Sequence, residues 1–305
     1  MWKYRKGRKS SFVELNAKQR TPPWDGARKD RLTASIYESV LGLSRFSGSG
    51  KIETIERMMG LRESKPITEA MQLGIINEDP LRNWYSDISN SKITEPSLCL
   101  GLSWYDFPMS WNNNMLLSKI YPSQLSDPLH PNWFIGGSPD GEVYFEDGLD
   151  ANLEIKFTKK LYTPLDERLT EINSNIPKFR YGKWSPSLLC QPFQCDIRKY
   201  FDVNDGVIDF FPHIWRSHFM QMQGCMALLG RSQCVYLVGT PTQKYVEMIP
   251  FDERYWRCYL YPNLVEVVET EIKPRMSKEH KQKFADQVKD IIKTVPKHAE
   301  IMYKW

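Results

Sequence analysis

The stretches WFIGGSPDGEVYF (residues 133–145) and NLEIKF (residues 152–157) carry the clearest structural pattern in the chain. Both are rich in the aromatic and branched aliphatic residues that favour strands, and Gly and Asp occur where the backbone would turn. The pattern predicts three short strands: one before the SPDG turn, one after it, and one at 152–157. Asp140 lies on the turn, so the segment carries a carboxylate close to a sheet.

Further elements are predicted on both sides of these strands. Residues 234–239 and 244–249 predict another hairpin, and apolar residues recur at helical spacing in five other segments. Those segments are residues 31–42, 67–87, 214–229, 252–271 and 277–295. Pro80 is expected to interrupt the second helix. The order predicts an α/β fold with a mixed central β-sheet flanked by helices.

The composition indicates an arm followed by one domain. Residues 1–20 are basic and polar and are expected to form a flexible arm, whereas residues 21–305 are expected to form a single domain. Two stretches near 105–132 and 162–212 contain many turn-forming residues. They are predicted to be long insertions into that domain.

Charge and cysteine usage narrow the class of protein. The chain has 41 Lys and Arg residues against 37 Asp and Glu residues, a net charge of +4, which permits a nucleic-acid partner. No apolar run approaches the ~18 residues of a membrane helix, so no membrane partner is expected. The six cysteines form no CxxC pair, which favours reduced thiols over zinc ligands or disulfides. We expect an intracellular protein, nuclear or cytoplasmic, whose basic arm serves as a nuclear signal or contacts nucleic acid.

Asp140, Glu154 and Lys156 form the motif that most clearly carries chemistry. Glu154 and Lys156 are two residues apart on a predicted strand and therefore point to the same face. A hairpin would bring Asp140 beside Glu154. Two neighbouring carboxylates repel each other, and a divalent cation such as Mg²⁺ relieves that repulsion. The backbone carbonyl of Ile155 could supply another oxygen ligand, and Lys156 could position an attacking water or stabilise developing charge.

Each half of the motif also has an ordinary structural interpretation. SPDG is a common turn sequence, and Glu-x-Lys is typical of an amphipathic strand. The combination in this order, with strand patterns on both sides, favours the functional interpretation. For Gln221 an ordinary buried hydrogen bond remains an alternative, and Glu78 could simply pair with Arg82 at i,i+4 spacing.

Three other segments accompany this pair in order along the chain. They are W-x3-R-x2-RLTAS at 24–35, G-x3-E-x3-R-x2-Y at 74–85 and FMQMQ-x2-M at 219–226. With SPDG and Glu154-Ile155-Lys156, they resemble the PD-(D/E)xK nuclease superfamily. Within it they resemble the YqaJ-like viral recombinases, the family of the phage lambda exonuclease. The resemblance covers about residues 24–230 and implies a restriction-endonuclease-like core.

The resemblance implies roles for individual residues. Asp140 and Glu154 would bind Mg²⁺, for which Mn²⁺ could substitute, with Ile155 and Glu78 as further ligands. Lys156 and Gln221 would act on the attacking water or the scissile phosphate. Phosphate would be held by Arg28, Ser35 and Ser138.

The expected function is therefore that of a Mg²⁺-dependent DNA exonuclease. It would hydrolyse duplex DNA from a 5′-phosphorylated end in recombination, repair, or viral or mobile-element DNA processing. Expected partners are DNA ends, a single-strand annealing protein and further copies of the chain. A structure-specific or restriction-like endonuclease and a non-catalytic DNA-binding or scaffold protein remain alternatives. Further backbone contacts are expected from Lys159, Lys160, Arg180 and Lys183, and a structural or DNA-contacting role from His213 and His218.

Overall fold

The computed structural model describes most of the chain, but not all of it. The described residues are 1–6, 11–44, 50–103, 126–146, 148, 150–157, 203–204, 207–208, 216–239 and 244–296. Most of both predicted insertions therefore lies outside the described residues. So do Lys159, Lys160, Arg180, Lys183 and His213.

The strands of the described residues form two five-stranded sheets and a small two-stranded one. The bounds are β1 Trp2–Lys6, β2 Ser11–Leu15, β3 Leu32–Thr33, β4 Lys92–Thr94, β5 Cys99–Ser103, β6 Ile135–Gly137, β7 Gly141–Tyr144, β8 Asp150–Phe157, β9 Val203–Asn204, β10 Val207–Ile208, β11 Gln233–Gly239 and β12 Lys244–Pro250. Sheet I has the order β1-β2-β5-β6-β3, and sheet II has the order β12-β11-β8-β7-β4. The mixed α/β class is confirmed, with its strands divided between two sheets.

Both sheets contain parallel and antiparallel pairs. In sheet I, β3 runs parallel to β6, and the other neighbouring strands of the sheet pair antiparallel. In sheet II, β8 is antiparallel to β7 and parallel to β11, with Glu154 opposite Tyr236. The strands predicted around the SPDG turn are β6 and β7, which belong to different sheets. The SPDG turn therefore passes the chain from sheet I to sheet II.

The helices surround and separate the sheets. The bounds are α1 Pro22–Arg28, α2 Tyr37–Val40, α3 Lys51–Met58, α4 Glu69–Ser89, α5 Arg216–Leu229, α6 Glu253–Tyr255, α7 Tyr261–Val267, α8 Lys273–Arg275 and α9 Lys278–Ile292. Short 3-10 turns occupy Ala34–Ile36 and Pro131–Phe134, and π-helical turns occupy Trp256–Leu260 and Val268–Ile272. Within the described part of the chain, no helix combines the length and apolar composition that a membrane crossing requires.

Helix α5 lies at the centre of the molecule. It contacts β2, β5 and β6 of sheet I and β8 and β11 of sheet II. Most of its residues are buried, and Phe219, Met220, Met222 and residues 224–229 give it the apolar surface that a helix between two layers requires. On the opposite face of sheet II, α4 packs Leu81 and Tyr85 against Val143, Leu153 and Leu237. Sheet II is therefore covered by helices on both faces.

Two predicted helices differ from those observed. Helix α4 is continuous through Pro80, so the predicted interruption is wrong. Its burial against sheet II stabilises the helix despite the backbone hydrogen bond that a proline removes. The segment 31–42 was predicted to be one helix, but it holds β3, a 3-10 turn and the short helix α2. Leu32 and Thr33 pair with β6, and that pairing outweighs local helix preference.

The predicted flexible arm is also corrected. Strands β1 and β2 pair antiparallel over five residues each, and β2 in turn pairs antiparallel with β5 of sheet I. All five residues of β2 are buried. Arg5 Nη1 donates to Glu14 of the neighbouring strand β2 at 3.0 Å, and it also reaches sheet II, where it donates to Glu142 of β7 at 2.7 Å. These buried acids give a basic strand a fixed place, which composition alone does not reveal.

Candidate active site

Asp140 is held at the junction of the two sheets by its own turn. Strand β6 ends at Gly137 and β7 begins at Gly141, so Asp140 lies directly between them. Its backbone N–H donates to the Leu153 carbonyl at 3.1 Å. Its carboxylate oxygen Oδ2 accepts from the Ile155 N–H at 2.7 Å. The two contacts are with Leu153 and Ile155, the residues on either side of Glu154. The turn therefore places the Asp140 carboxylate against β8.

Glu154 and Lys156 point from β8 towards helix α5. Glu154 is 1% exposed, and it pairs with Tyr236, whose side chain belongs to the core around α5. Lys156 Nζ lies 2.5 Å from Glu154 Oε1. The same ammonium group donates to Gln221 Oε1 on α5 at 3.3 Å. The structure thus brings together four of the predicted site residues, which come from three separate segments of the sequence: Asp140, Glu154, Lys156 and Gln221.

The two carboxylates share a buried environment that disfavours their charges. Burial raises the pKa of Asp140 well above its ordinary value, and the Glu154 carboxylate raises it further. Burial also raises the pKa of Glu154, against the opposing charge of Lys156. Burial lowers the pKa of Lys156, but Glu154 and Asp140 outweigh that effect, so its pKa is raised. Lys156 therefore offsets part of the charge of two neighbouring acids, and a further cation would reduce the repulsion between them.

The oxygen atoms of Glu154 fit a role as metal ligands. Lys156 Nζ pairs with Glu154 Oε1 at 2.5 Å. The other carboxylate oxygen of Glu154, Oε2, is buried and has no hydrogen-bond donor among the described residues. Buried polar atoms without partners are rare in proteins, and a divalent cation is one group that satisfies them. Among the described residues, however, no three His, Cys, Asp or Glu side chains converge on one point. The donor set fits a cation held by two carboxylates, backbone oxygen and water.

Glu78 lies close enough to influence the site, but its carboxylate is bound elsewhere. Its charge raises the pKa of Asp140 and of Glu154. Its Oε1 atom accepts from Arg82 at 2.7 Å, which is the expected i,i+4 pair, and its Oε2 atom accepts from Arg20. Both oxygens are thus occupied by arginines, and the predicted metal role of Glu78 stays a prediction.

The three predicted phosphate-binding residues lie around Trp24. The Arg28 guanidinium stacks on the Trp24 ring at 4.1 Å from the ring centre. It donates to Ser35 Oγ at 3.4 Å, and the Trp24 indole N–H donates to Ser138 Oγ at 3.2 Å. Burial lowers the pKa of Arg28 to about 10, against the opposing charge of Asp25. A guanidinium group beside hydroxyl groups is suited to an anion.

His218 lies beside the acidic cluster but is committed to a neighbour. Its Nδ1 atom is 2.9 Å from the Tyr236 hydroxyl. Burial, followed by the charge of Lys156, lowers the pKa of His218 well below its ordinary value. A neutral imidazole that is hydrogen-bonded to a tyrosine is consistent with a structural role for His218, one of the two roles that the sequence predicts for it.

Two residues at the Asp140 turn were not predicted from the sequence. Gln19 donates to the Pro139 carbonyl at 3.0 Å, and Arg82 donates to the Asp140 carbonyl at 2.9 Å. The sequence spacing predicts Arg82 only as an i,i+4 partner of Glu78. Gln19 stands in a polar segment with no periodicity, so no local signal distinguishes it from a surface residue.

Comparison with known proteins gives distant structural likenesses. No family model matches the sequence, and no curated protein matches it significantly. Among solved structures, the alkaline exonuclease LHK-Exo from Laribacter hongkongensis is similar at 18% identity and a TM-score of 0.40, covering 90% of this chain and 95% of that one. The structure of LHK-Exo in complex with dAMP is similar at 17% identity and a TM-score of 0.45, covering 90% and 100%. At this level of similarity, an activity has to be argued from the residues of this chain.

Proposed function

We propose that the protein is a metal-dependent nuclease that hydrolyses phosphodiester bonds of DNA. The observation that carries the proposal is the cluster of the half-buried Asp140 and the buried Glu154 beside Lys156. In that cluster Glu154 Oε1 pairs with Lys156, while Glu154 Oε2 lacks a hydrogen-bond donor among the described residues. Two neighbouring acids that are largely removed from water and share one ammonium group are unfavourable for folding alone. Their arrangement is accounted for if a divalent cation completes the site.

The ligands would be carboxylate oxygens of Asp140 and Glu154 and the backbone carbonyl of Ile155. When bound, Mg²⁺ would lower the pKa of a water molecule and neutralise charge on the phosphate. Mn²⁺ would substitute because it accepts the same oxygen ligands. Glu78 would be a further ligand only if it were released from Arg20 and Arg82.

Lys156 and Gln221 would orient the reactants. The raised pKa of Lys156 favours the protonated ammonium, which stabilises negative charge as it develops on the phosphate. Gln221 fixes the direction of that ammonium through the contact of 3.3 Å and offers its amide to water or phosphate. Both side chains are only partly buried, so substrate can reach them.

The arrangement around Trp24 supports a substrate with a terminal phosphate. Arg28, Ser35 and Ser138 offer one cation and two hydroxyl groups, and Ser138 is only two residues from Asp140. A 5′-phosphate bound there would hold a DNA end next to the two acids. The substrate we infer is a duplex end, processed during recombination, repair, or viral or mobile-element DNA metabolism. A single-strand annealing protein would be the natural recipient of the strand that such an enzyme exposes.

The test is a cleavage assay on end-labelled linear duplex DNA. The substrate carries either a 5′-phosphate or a 5′-hydroxyl, with and without Mg²⁺, and circular DNA is run in parallel. We expect Mg²⁺-dependent release of label from the phosphorylated linear duplex. Lys156→Ala should reduce the rate by about 10³-fold, because a charge next to the reacting phosphate is lost. DNA binding should change little, and Lys289→Ala, an exposed lysine on α9, serves as the matched control.

The alternatives predict different outcomes. Cleavage of circular DNA would favour an endonuclease. DNA binding with no Mg²⁺-dependent cleavage by the wild-type protein would favour a binding module. Wild-type activity in Lys156→Ala would remove Lys156 from the mechanism.

A further inference from the structure

We propose that Gln19 is a positioning residue for the metal-binding acid Asp140, an inference that rests on the proposed function. Gln19 is 7% exposed and lies between β2 and α1. Its Nε2 group donates to the Pro139 carbonyl at 3.0 Å and to the Pro96 carbonyl at 2.7 Å. One side chain therefore ties the Asp140 turn to the connection between β4 and β5.

The chemistry of these two bonds requires an amide. A primary amide has two N–H donors and no charge, so one group can serve two buried carbonyls. Loss of the donors would leave both carbonyls without these partners and would lower the stability of the folded chain. The bonds thus contribute to the stability of the fold. Because one of them is next to Asp140, they also influence the orientation of its side chain.

The second effect concerns the two peptide groups on either side of Asp140. Gln19 holds the carbonyl that precedes Asp140, and Arg82 holds the Asp140 carbonyl itself at 2.9 Å. The Asp140 N–H is fixed to Leu153. Together these three bonds determine the direction in which the Asp140 side chain leaves the backbone. Its carboxylate then meets the Ile155 N–H at 2.7 Å.

Residues that orient a metal ligand affect metal affinity more than their own energy suggests. Loss of such outer partners typically reduces metal affinity or activity by about 10–100-fold. Gln19 touches neither Glu154 nor Lys156 in the hydrogen bonds of the described residues, so its influence would pass through Asp140 alone. We therefore expect its removal to lower Mn²⁺ affinity and kcat, with little change in the KM for DNA.

The test compares Gln19→Met with Gln223→Met. Gln223 is also a buried glutamine whose Nε2 donates to a proline carbonyl, that of Pro250 at 3.0 Å, but it lies away from the turn. Both variants should lose thermal stability. Mn²⁺ titration followed by electron paramagnetic resonance should show about 10–100-fold weaker binding for Gln19→Met only. Gln19→Asn keeps the amide one methylene shorter, and we expect an intermediate loss from it. It also provides the comparison if Gln19→Met does not fold.

A second measurement separates this inference from the proposed function. Hydrogen exchange of the Ile155 amide, which donates to Asp140 Oδ2, reports the position of Asp140 without metal or DNA. Exchange should be faster in Gln19→Met and as slow as in wild type in Gln223→Met, relative to neighbouring amides. Unchanged Ile155 exchange, or unchanged Mn²⁺ affinity and kcat, would overturn the role of Gln19. If the wild-type protein binds no Mn²⁺ yet the exchange prediction holds, the proposed function fails and the positioning of Asp140 by Gln19 stands.

Discussion

The β7–β8 hairpin carries two groups of carboxylates, and the two groups differ in how many cations accompany them. Towards the connection between the strands, Glu142 and Asp150 share Arg231, and Glu142 also binds Arg5. Towards the other end, Lys156 pairs with Glu154 and interacts with the charge of Asp140, and no arginine of the described residues forms an ion pair with either acid. Glu142 and Glu154 are equally buried, each 1% exposed. Burial is therefore the same in both groups, and the number of arginines distinguishes them.

The difference separates charges that stabilise the fold from charges that are kept for another purpose. Buried acids that are paired with guanidinium groups hold the neighbouring segments in place. Loss of one partner leaves an uncompensated buried charge. Acids with too few cations lower the stability of the folded chain. Such groups persist where function requires them. The position of the deficit on β8 therefore identifies the candidate site more sharply than burial does.

The largest expected effect is on catalysis, in Glu154→Gln. The amide keeps the volume of the side chain but removes the charge that would bind a cation. We expect cleavage to fall by about 10³-fold or more, while the free energy of unfolding without metal does not decrease. Glu142→Gln is the control from the matched group. It should unfold at a lower temperature and retain activity per folded molecule. The opposite pattern would mean that the two groups have been assigned the wrong roles.

Arg231→Met should have the largest effect on stability. Arg231 is 6% exposed and contacts Glu142 at 2.5 Å and Asp150 at 2.7 Å. Its removal leaves Glu142 with Arg5 as its remaining cation among the described residues. We expect a loss of about 3 kcal/mol in the free energy of unfolding, measured by urea denaturation. A loss below about 1 kcal/mol would show that this network contributes little.

Added Mg²⁺ should stabilise the wild-type protein because it binds the folded state alone. At a concentration about 100 times Kd, the expected gain is about 2.7 kcal/mol, visible as a rise in Tm. The gain should disappear in Glu154→Gln and persist in Arg231→Met. An equal Tm shift in all three proteins would indicate that Mg²⁺ binds elsewhere.

The smallest effect is expected from Asp140→Asn in metal-free buffer, and it should be stabilising. The amide carbonyl can still accept from the Ile155 N–H, and the repulsion between Asp140 and Glu154 is removed. The expected gain in the free energy of unfolding is on the order of 1 kcal/mol, or about 2–4 °C in Tm. Mg²⁺ should reverse the order of the two proteins, because only the wild type binds it.

The same variant has a predictable pH dependence. The pKa of folded Asp140 is raised above its unfolded value of about 3.9, so protonation favours the folded state. That contribution is complete below the unfolded pKa and is lost as the pH rises through the folded pKa. The Asp140→Asn side chain does not titrate. Its advantage over the wild type should therefore grow from acid towards neutral pH. A constant difference would contradict the raised pKa of Asp140.

The parts of the structure that were predicted from sequence depend on local patterns. The strands around Asp140 and Glu154 follow from alternation and turn residues within a few positions, and so does the common face of Glu154 and Lys156. Gln221 required the family resemblance, because its contact with Lys156 joins residues 65 positions apart. The mixed α/β class followed from the order of the elements.

The parts that were not predicted depend on distant partners. The basic composition of β1 predicts solvent exposure. In the structure, Arg5 of this strand pairs with Glu14 and Glu142, which the composition does not reveal. The division into two sheets depends on α5 being inserted between them, which its apolar sequence permits but does not require. Pro80 was judged by its local effect on a helix, whereas packing of α4 against sheet II decided the outcome. Gln19 has no local signal at all.

The place of Arg5 has a practical consequence for handling the protein. Residues 1–10 have the composition that is commonly trimmed before crystallisation or fused to an affinity tag. Their deletion would remove β1 from the edge of sheet I and take a guanidinium group from two buried glutamates. Glu142 is two residues from Asp140, so the damage would begin close to the candidate site. A truncated or proteolysed preparation that fails to cut DNA would therefore say nothing about the activity of the intact chain.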